Sequence, residues 1–63
     1  MKVTELNREQ LTKLKQDYLI RLVNEGVREE PSWEEMSMVD ELVTDEVIFE
    51  KYEGIDFVEE DFV

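Results

Sequence analysis

The sequence predicts a small all-α domain: a long first helix, two shorter helices and an acidic C-terminal tail. Three observations carry that prediction. Two capping boxes mark helix starts, N-R-E-Q at residues 7–10 and S-W-E-E at residues 32–35. Between residues 11 and 23, leucine and other apolar side chains recur at spacings of three and four. Gly26, Pro31 and Gly54 fall between the periodic stretches and not inside them.

Helix 1 is expected over residues 7–25. Asn7 is its N-cap, Gln10 completes the box, and Leu6 and Leu11 have the spacing of a hydrophobic staple. Leu11, Leu14, Tyr18 and Leu22 form the inward stripe, widened by Leu19 and Val23, while Ile20 points away. Lys15 falls near that stripe, so its stem is expected on apolar surface with its ammonium in water. Gly26 can take positive φ and end the helix. Pro31 disfavours a helical Glu30 and separates the next pattern. Helix 2 opens at about Trp33, turning Met36, Val39 and Val43 inward with Met38 and Leu42 on a flank. Thr44 caps helix 3, which continues to Tyr52 and stops at Gly54; without that cap, helices 2 and 3 would read as one bent helix.

The expected core is Leu14, Tyr18, Leu22, Met36, Val39, Ile48 and Tyr52. The aromatic residues Tyr18, Trp33, Phe49 and Tyr52 are assigned to the core in preference to a base-stacking platform. The chain reads as one domain over residues 1–63, with residues 54–63 as a tail docked in part through Phe57 or Phe62.

Size and composition narrow the chemistry. A chain of 63 residues buries only about 60% of the surface exposed when unfolded, so its stability is marginal. It contains no cysteine, hence no disulfide and no thiolate metal site, and no histidine, the commonest general base. Residues 56–63 lack the spacing and the glycine of an EF-hand loop. Paired carboxylates need a concave site to become catalytic, and so small a helical domain has little room for one. No enzyme, cofactor or metal is expected. No stretch approaches the roughly 18 apolar residues of a membrane span, and the opening lacks the apolar core of a signal peptide, so a cytoplasmic location is expected.

The charge is distributed unevenly. Residues 32–63 hold twelve acids and one base, Lys51, while residues 1–31 hold six of each, so the net charge of −11 lies in one half. Glu34, Glu35, Asp45 and Glu46 fall in first helical turns, where the helix dipole favours them. Asp40, Glu41, Glu50, Glu53, Asp56, Glu59, Glu60 and Asp61 have no such reason. Glu46 and Glu50 repel at i,i+4, a cost of about 0.2–0.5 kcal/mol, and solubility needs far less charge. The bases of helix 1 alternate with acids, as on an ordinary salt-bridged surface, which disfavours direct nucleic-acid binding.

These residues point to a partner-binding surface of Asp40, Glu41, Glu46, Glu50, Glu53, Asp56, Glu59, Glu60 and Asp61, with Phe57 as its apolar anchor. Its expected partner is a basic protein, a nucleic-acid-binding protein or nuclease whose phosphate-binding groove the carboxylates would occupy. One alternative is an antitoxin-like or housekeeping interaction protein that binds through Ile20, Val27 and the tail phenylalanines, with acidity serving solubility. A homodimer is a third.

The blocks MKVTELNREQLTKLKQDYL and DELVTDEVIFEKYEGIDFVEEDF, about two-thirds of the chain, resemble short acidic proteins encoded in bacterial genomes and mobile elements. In size and charge, and without a shared motif, the chain also resembles DNA-mimic nuclease inhibitors of the anti-CRISPR type that block Cas9. That resemblance implies an inhibitor whose target surface normally holds DNA.

Overall fold

Capping side chains open three of the four α-helices among the described residues. In the computed structural model, which describes residues 1–62 (Asp61 and Phe62 by their backbone only), the helices are α1 (Arg8–Asn24), α2 (Trp33–Ser37), α3 (Val39–Leu42) and α4 (Asp45–Lys51). Short 3₁₀ turns at Val3–Glu5 and Glu59–Phe62 lie outside them, and no strand occurs among the described residues. Asn7 Oδ1 accepts from the Gln10 amide at 2.8 Å, and Gln10 Oε1 accepts from the Asn7 amide at 3.0 Å. Ser32 and Glu35 reciprocate in the same way, both bonds at 3.1 Å. Thr44 Oγ1 accepts from the Val47 amide at 3.3 Å, which separates α4 from what precedes it.

The end of α1 is a Schellman turn. The Val27 amide donates to the Leu22 carbonyl at 2.9 Å and the Gly26 amide to the Val23 carbonyl at 3.0 Å. Gly26 adopts φ 76° and Gly54 φ 82°, so both sequence-placed stops are left-handed.

The second expected helix is two. Met38, at φ −104° and ψ 20°, shares its amide between the Glu34 and Glu35 carbonyls, 3.1 Å to each, and the regular helix is interrupted there. Neither glycine nor proline marks the break. The Ser37 hydroxyl donates to the Trp33 carbonyl at 3.1 Å just before it, and past Met38, Val39 enters the core and Asp40 meets Thr12 and Lys15 of α1. The fold therefore has four helices in place of the expected three.

The core contains Val3, Leu6, Leu11, Leu14, Leu19, Val39, Val43, Ile48, Tyr52 and Phe57, with Met1, Tyr18, Leu22, Met36, Val47 and Phe49 half-buried against it. Leu14, Val39, Ile48 and Tyr52 are thus buried as expected, while Tyr18, Leu22 and Met36 form its margin. Trp33 departs from expectation altogether, being 85% exposed. It is the first residue of α2, and no residue of that short helix is fully buried.

The chain ends close over the same core. The Met1 amino group donates to the Phe57 carbonyl at 2.6 Å, and the Phe57 amide donates to the Met1 carbonyl at 2.7 Å. Lys2 Nζ stands 2.8 Å from Asp56. This pairing seats Val3 and Phe57 inside, with the Phe57 ring 6.0 Å from that of Tyr52. Of the two tail phenylalanines, Phe57 is the docked one; the side chain of Phe62 lies outside the described residues.

Ile48→Ala tests this packing. Ile48 is fully enclosed, so its truncation should cost about 2–5 kcal/mol in urea unfolding. Leu22→Ala, at the margin of the core, should cost visibly less; equal losses would contradict the burial described.

Candidate protein-binding surface

The acids do not form one uniform field, because some of them are held by bases. Leu11, Lys15 and Leu19 recur every four residues along α1, and all three are buried. Lys15 is 1% exposed, so its ammonium does not reach open water as its expected geometry required. It ends 3.2 Å from Asp40 of α3 and 2.7 Å from Asp45 of α4. Thr12 Oγ1 lies 3.0 Å from both Asp40 oxygens, and Arg8 reaches Asp45 at 3.4 Å. An ammonium this enclosed is stable only with partners, and two carboxylates that keep some solvent contact supply them. The hydrogen bond from Lys15 holds the Asp45 carboxyl below its ordinary value, against the opposing effect of partial burial, with further help from the charges of Lys15 and Arg8.

Two more pairs act at the surface. The hydrogen bond from Arg28, 2.7 Å away, and then that of the Ser32 amide lower the Glu35 carboxyl. The hydrogen bond and charge of Lys2 lower that of Asp56. Arg21 lies over the Tyr52 ring at 5.9 Å, and burial of Tyr52 raises its phenol above the ordinary range.

The sequence-predicted site residues now separate into three groups. Asp40 and Asp56 are ion-paired within the domain. Phe57 is 8% exposed and belongs to the core, where the main-chain pairing with Met1 holds it; it presents no outward anchor. Glu41, Glu46, Glu50, Glu53, Glu59 and Glu60 are exposed, and none is ion-paired among the described residues. The Asp61 side chain lies outside the described residues. Glu46 and Glu50 stand one turn apart on α4, and Glu53 follows just beyond its end.

Two depressions adjoin these acids. A polar cleft lies among Arg8, Lys15, Asp40, Thr44, Asp45 and Glu46, directly over the α1–α3–α4 ion cluster. A more apolar groove runs between the N-terminal turn and α4, with Val3 and Phe49 beside Glu50 and Glu53. Among the described residues, no group of three or more acids is placed to hold a metal ion. The arrangement can attract and hold cationic groups.

Sequence reasoning missed the Lys15 cluster, although its signal was present. A lysine four residues from two stripe leucines is in register with the core, and the nearby acids of α3 and α4 are its available partners. Comparison with known protein families, curated proteins and solved structures finds no match for this chain.

Two outcomes are expected. Lys15→Met keeps most of the stem volume and removes the charge, and should cost about 1–3 kcal/mol after allowance for the solvent around Asp40 and Asp45. A double-mutant cycle of Lys15→Met with Asp45→Asn should show stronger coupling than one of Lys2→Met with Asp56→Asn. The folded-state values of Asp45, Asp56 and Glu35 are lowered, so their stabilisation is present above the ordinary carboxylate range and lost as pH falls through the folded values. Thermal melts should therefore drop below about pH 4, and Asp45→Asn should make that drop shallower.

Proposed function

We propose that this protein is an acidic binding module that occupies a basic, nucleic-acid-binding surface of another protein, as a DNA mimic inhibits or regulates its target. One observation carries the reading: how charge is allocated. Lys2, Arg8, Lys15 and Arg28 are drawn into ion pairs with carboxylates of the same domain. Glu41, Glu46, Glu50, Glu53, Glu59 and Glu60 are left facing solvent. Four of the seven bases are thus matched to acids of the same domain, and the carboxylates that remain set the outward field. Such a field steers association with clustered Arg and Lys and repels nucleic acid itself. A nuclease with arginines arranged for a DNA duplex, as in Cas9, is one instance of such a surface. The reading places the protein in the cytoplasm with its target; no helix among the described residues is long and apolar enough to cross a membrane.

A second reading, a small interaction protein that binds through apolar surface, draws on the exposure of Ile20 and Val27. The two readings part on salt. Binding through carboxylates weakens as salt screens it, whereas binding through apolar surface does not.

The test starts from proteins captured from host lysate and released by high salt. A captured target should bind this protein in competition with its own DNA or RNA. Glu50→Gln with Glu53→Gln should weaken binding and leave the fold intact, while Glu9→Gln with Glu25→Gln on α1 should matter much less. Equal binding to the free and the nucleic-acid-loaded target, with full inhibition by the Glu50/Glu53 variant, would refute the mimicry.

A further inference from the structure

Trp33 is the one tryptophan of the chain, and it stands 85% exposed. It is the most exposed of the large hydrophobic side chains among the described residues, and it is of a type enriched where proteins meet partners. Its backbone is nevertheless well fixed. The Ser32–Glu35 capping box closes the turn around it, and Arg28 holds Glu35 at 2.7 Å, so the start of α2 is braced with the indole outside. Main chain held in place before binding has little freedom left to lose on binding.

Its surroundings state what it would take. The one cation of this stretch, Arg28, is paired with Glu35, while Glu29, Glu30 and Glu34 are exposed. Two residues before the indole, Pro31 joins Glu30, Asn24, Val23 and Ile20 in lining a cleft between α1 and the connection to α2. That cleft has an apolar lining and a carboxylate, which suits a long aliphatic stem ending in a positive charge.

We propose that Trp33, with the cleft lined by Ile20 and Pro31 that lies two residues before it in the chain, forms a docking site for an arginine-bearing segment of a basic protein partner, with Glu29, Glu30 and Glu34 supplying the complementary charge. An indole is the strongest of the aromatic faces for a cation, and guanidinium stacks on it better than ammonium does. Nucleic-acid bases could also stack on an indole, but the neighbouring acids and a net charge of −11 oppose phosphate. The site rests on the reading of the protein as a binder of basic surfaces, and it lies on a different element from Glu50 and Glu53.

The test titrates the full chain with a fluorescein-labelled oligo-arginine peptide and with an oligo-lysine peptide of equal length at matched salt. Binding is read by anisotropy, and the environment of Trp33 by its own emission with unlabelled peptide. Trp33 emission should shift on binding, and oligo-arginine should bind more tightly than oligo-lysine. Trp33→Ala should weaken oligo-arginine binding about two- to fivefold, erase the preference for arginine and leave the thermal melt unchanged, while Trp33→Phe should retain part of both. Glu29→Gln with Glu30→Gln and Glu34→Gln should weaken both peptides. If Trp33→Ala binds like the parent and only Glu50→Gln with Glu53→Gln loses affinity, this site is refuted and the broader reading stands. If no form of the protein binds either peptide, the broader reading falls with it. A dimer in sedimentation that Trp33→Ala dissolves would assign the face to a second copy and overturn the proposal. So would an emission shift with a single-stranded oligonucleotide and none with oligo-arginine.

Discussion

The buried ammonium of Lys15 is the interaction on which the arrangement of helices depends. Helices α3 and α4 span four and seven residues, too short to persist on propensity alone. Only α1 is long enough to act as a scaffold, and its Lys15 engages both short helices from a buried position, as Arg8 does from the surface. Desolvating a lysine is costly, and a neutral pocket would not have compensated for it. Two carboxylates do so here, and because both keep water on one side, the cluster is not a charge stranded in a dry interior. The polarity runs outward from a satisfied ammonium, through Asp40 and Asp45, to Arg8 at the surface.

The closure of the chain ends is a second constraint of the same kind. So small a domain buries only about 60% of the surface its unfolded chain exposes, so each further segment that reaches the core adds to a marginal stability. The reciprocal main-chain bonds between Met1 and Phe57 bring two nonhelical segments onto the core, adding Val3 and Phe57 to the leucines of α1. Irregular segments can be buried this way only when their amides and carbonyls find partners, and here each segment supplies the other's. The tail is consequently part of the fold as far as Phe57.

Both constraints shape the surface left over. Each ion pair within the domain matches one base with one acid, so the excess of acids is undiminished and falls to α4, α3 and the last 3₁₀ turn. A domain of marginal stability carries that repulsion at a cost, since like charges at i,i+4 on α4 oppose its helix. Attraction to a dense basic surface gives the repulsion a purpose that solubility alone does not require. The exposed indole adds to this picture, because an aromatic side chain outside the core is more useful to a partner than to the monomer.

What the sequence by itself determined were the local events. Asn7, Ser32 and Thr44 start helices because a side-chain oxygen one turn from a free amide caps it wherever it occurs, and Gly26 and Gly54 stop them because positive φ suits glycine. The α1 stripe, the burial of Ile48 and Tyr52, the long first helix and the concentration of acid in the second half follow from spacing and composition. The tertiary structure alone decided the rest. The break at Met38 carries neither glycine nor proline and falls just before Asp40 meets Lys15 of α1. The burial of Lys15, the pairing of Met1 with Phe57 and the ion-pairing of Asp40 and Asp56 within the domain all join residues 25 to 56 positions apart. Such pairings leave no periodic trace, because a carboxylate that will meet a lysine across the fold looks the same in the sequence as one that will face water. Trp33 escaped for the opposite reason: apolar character argues for burial, and only the packed core shows which aromatic it has no room for.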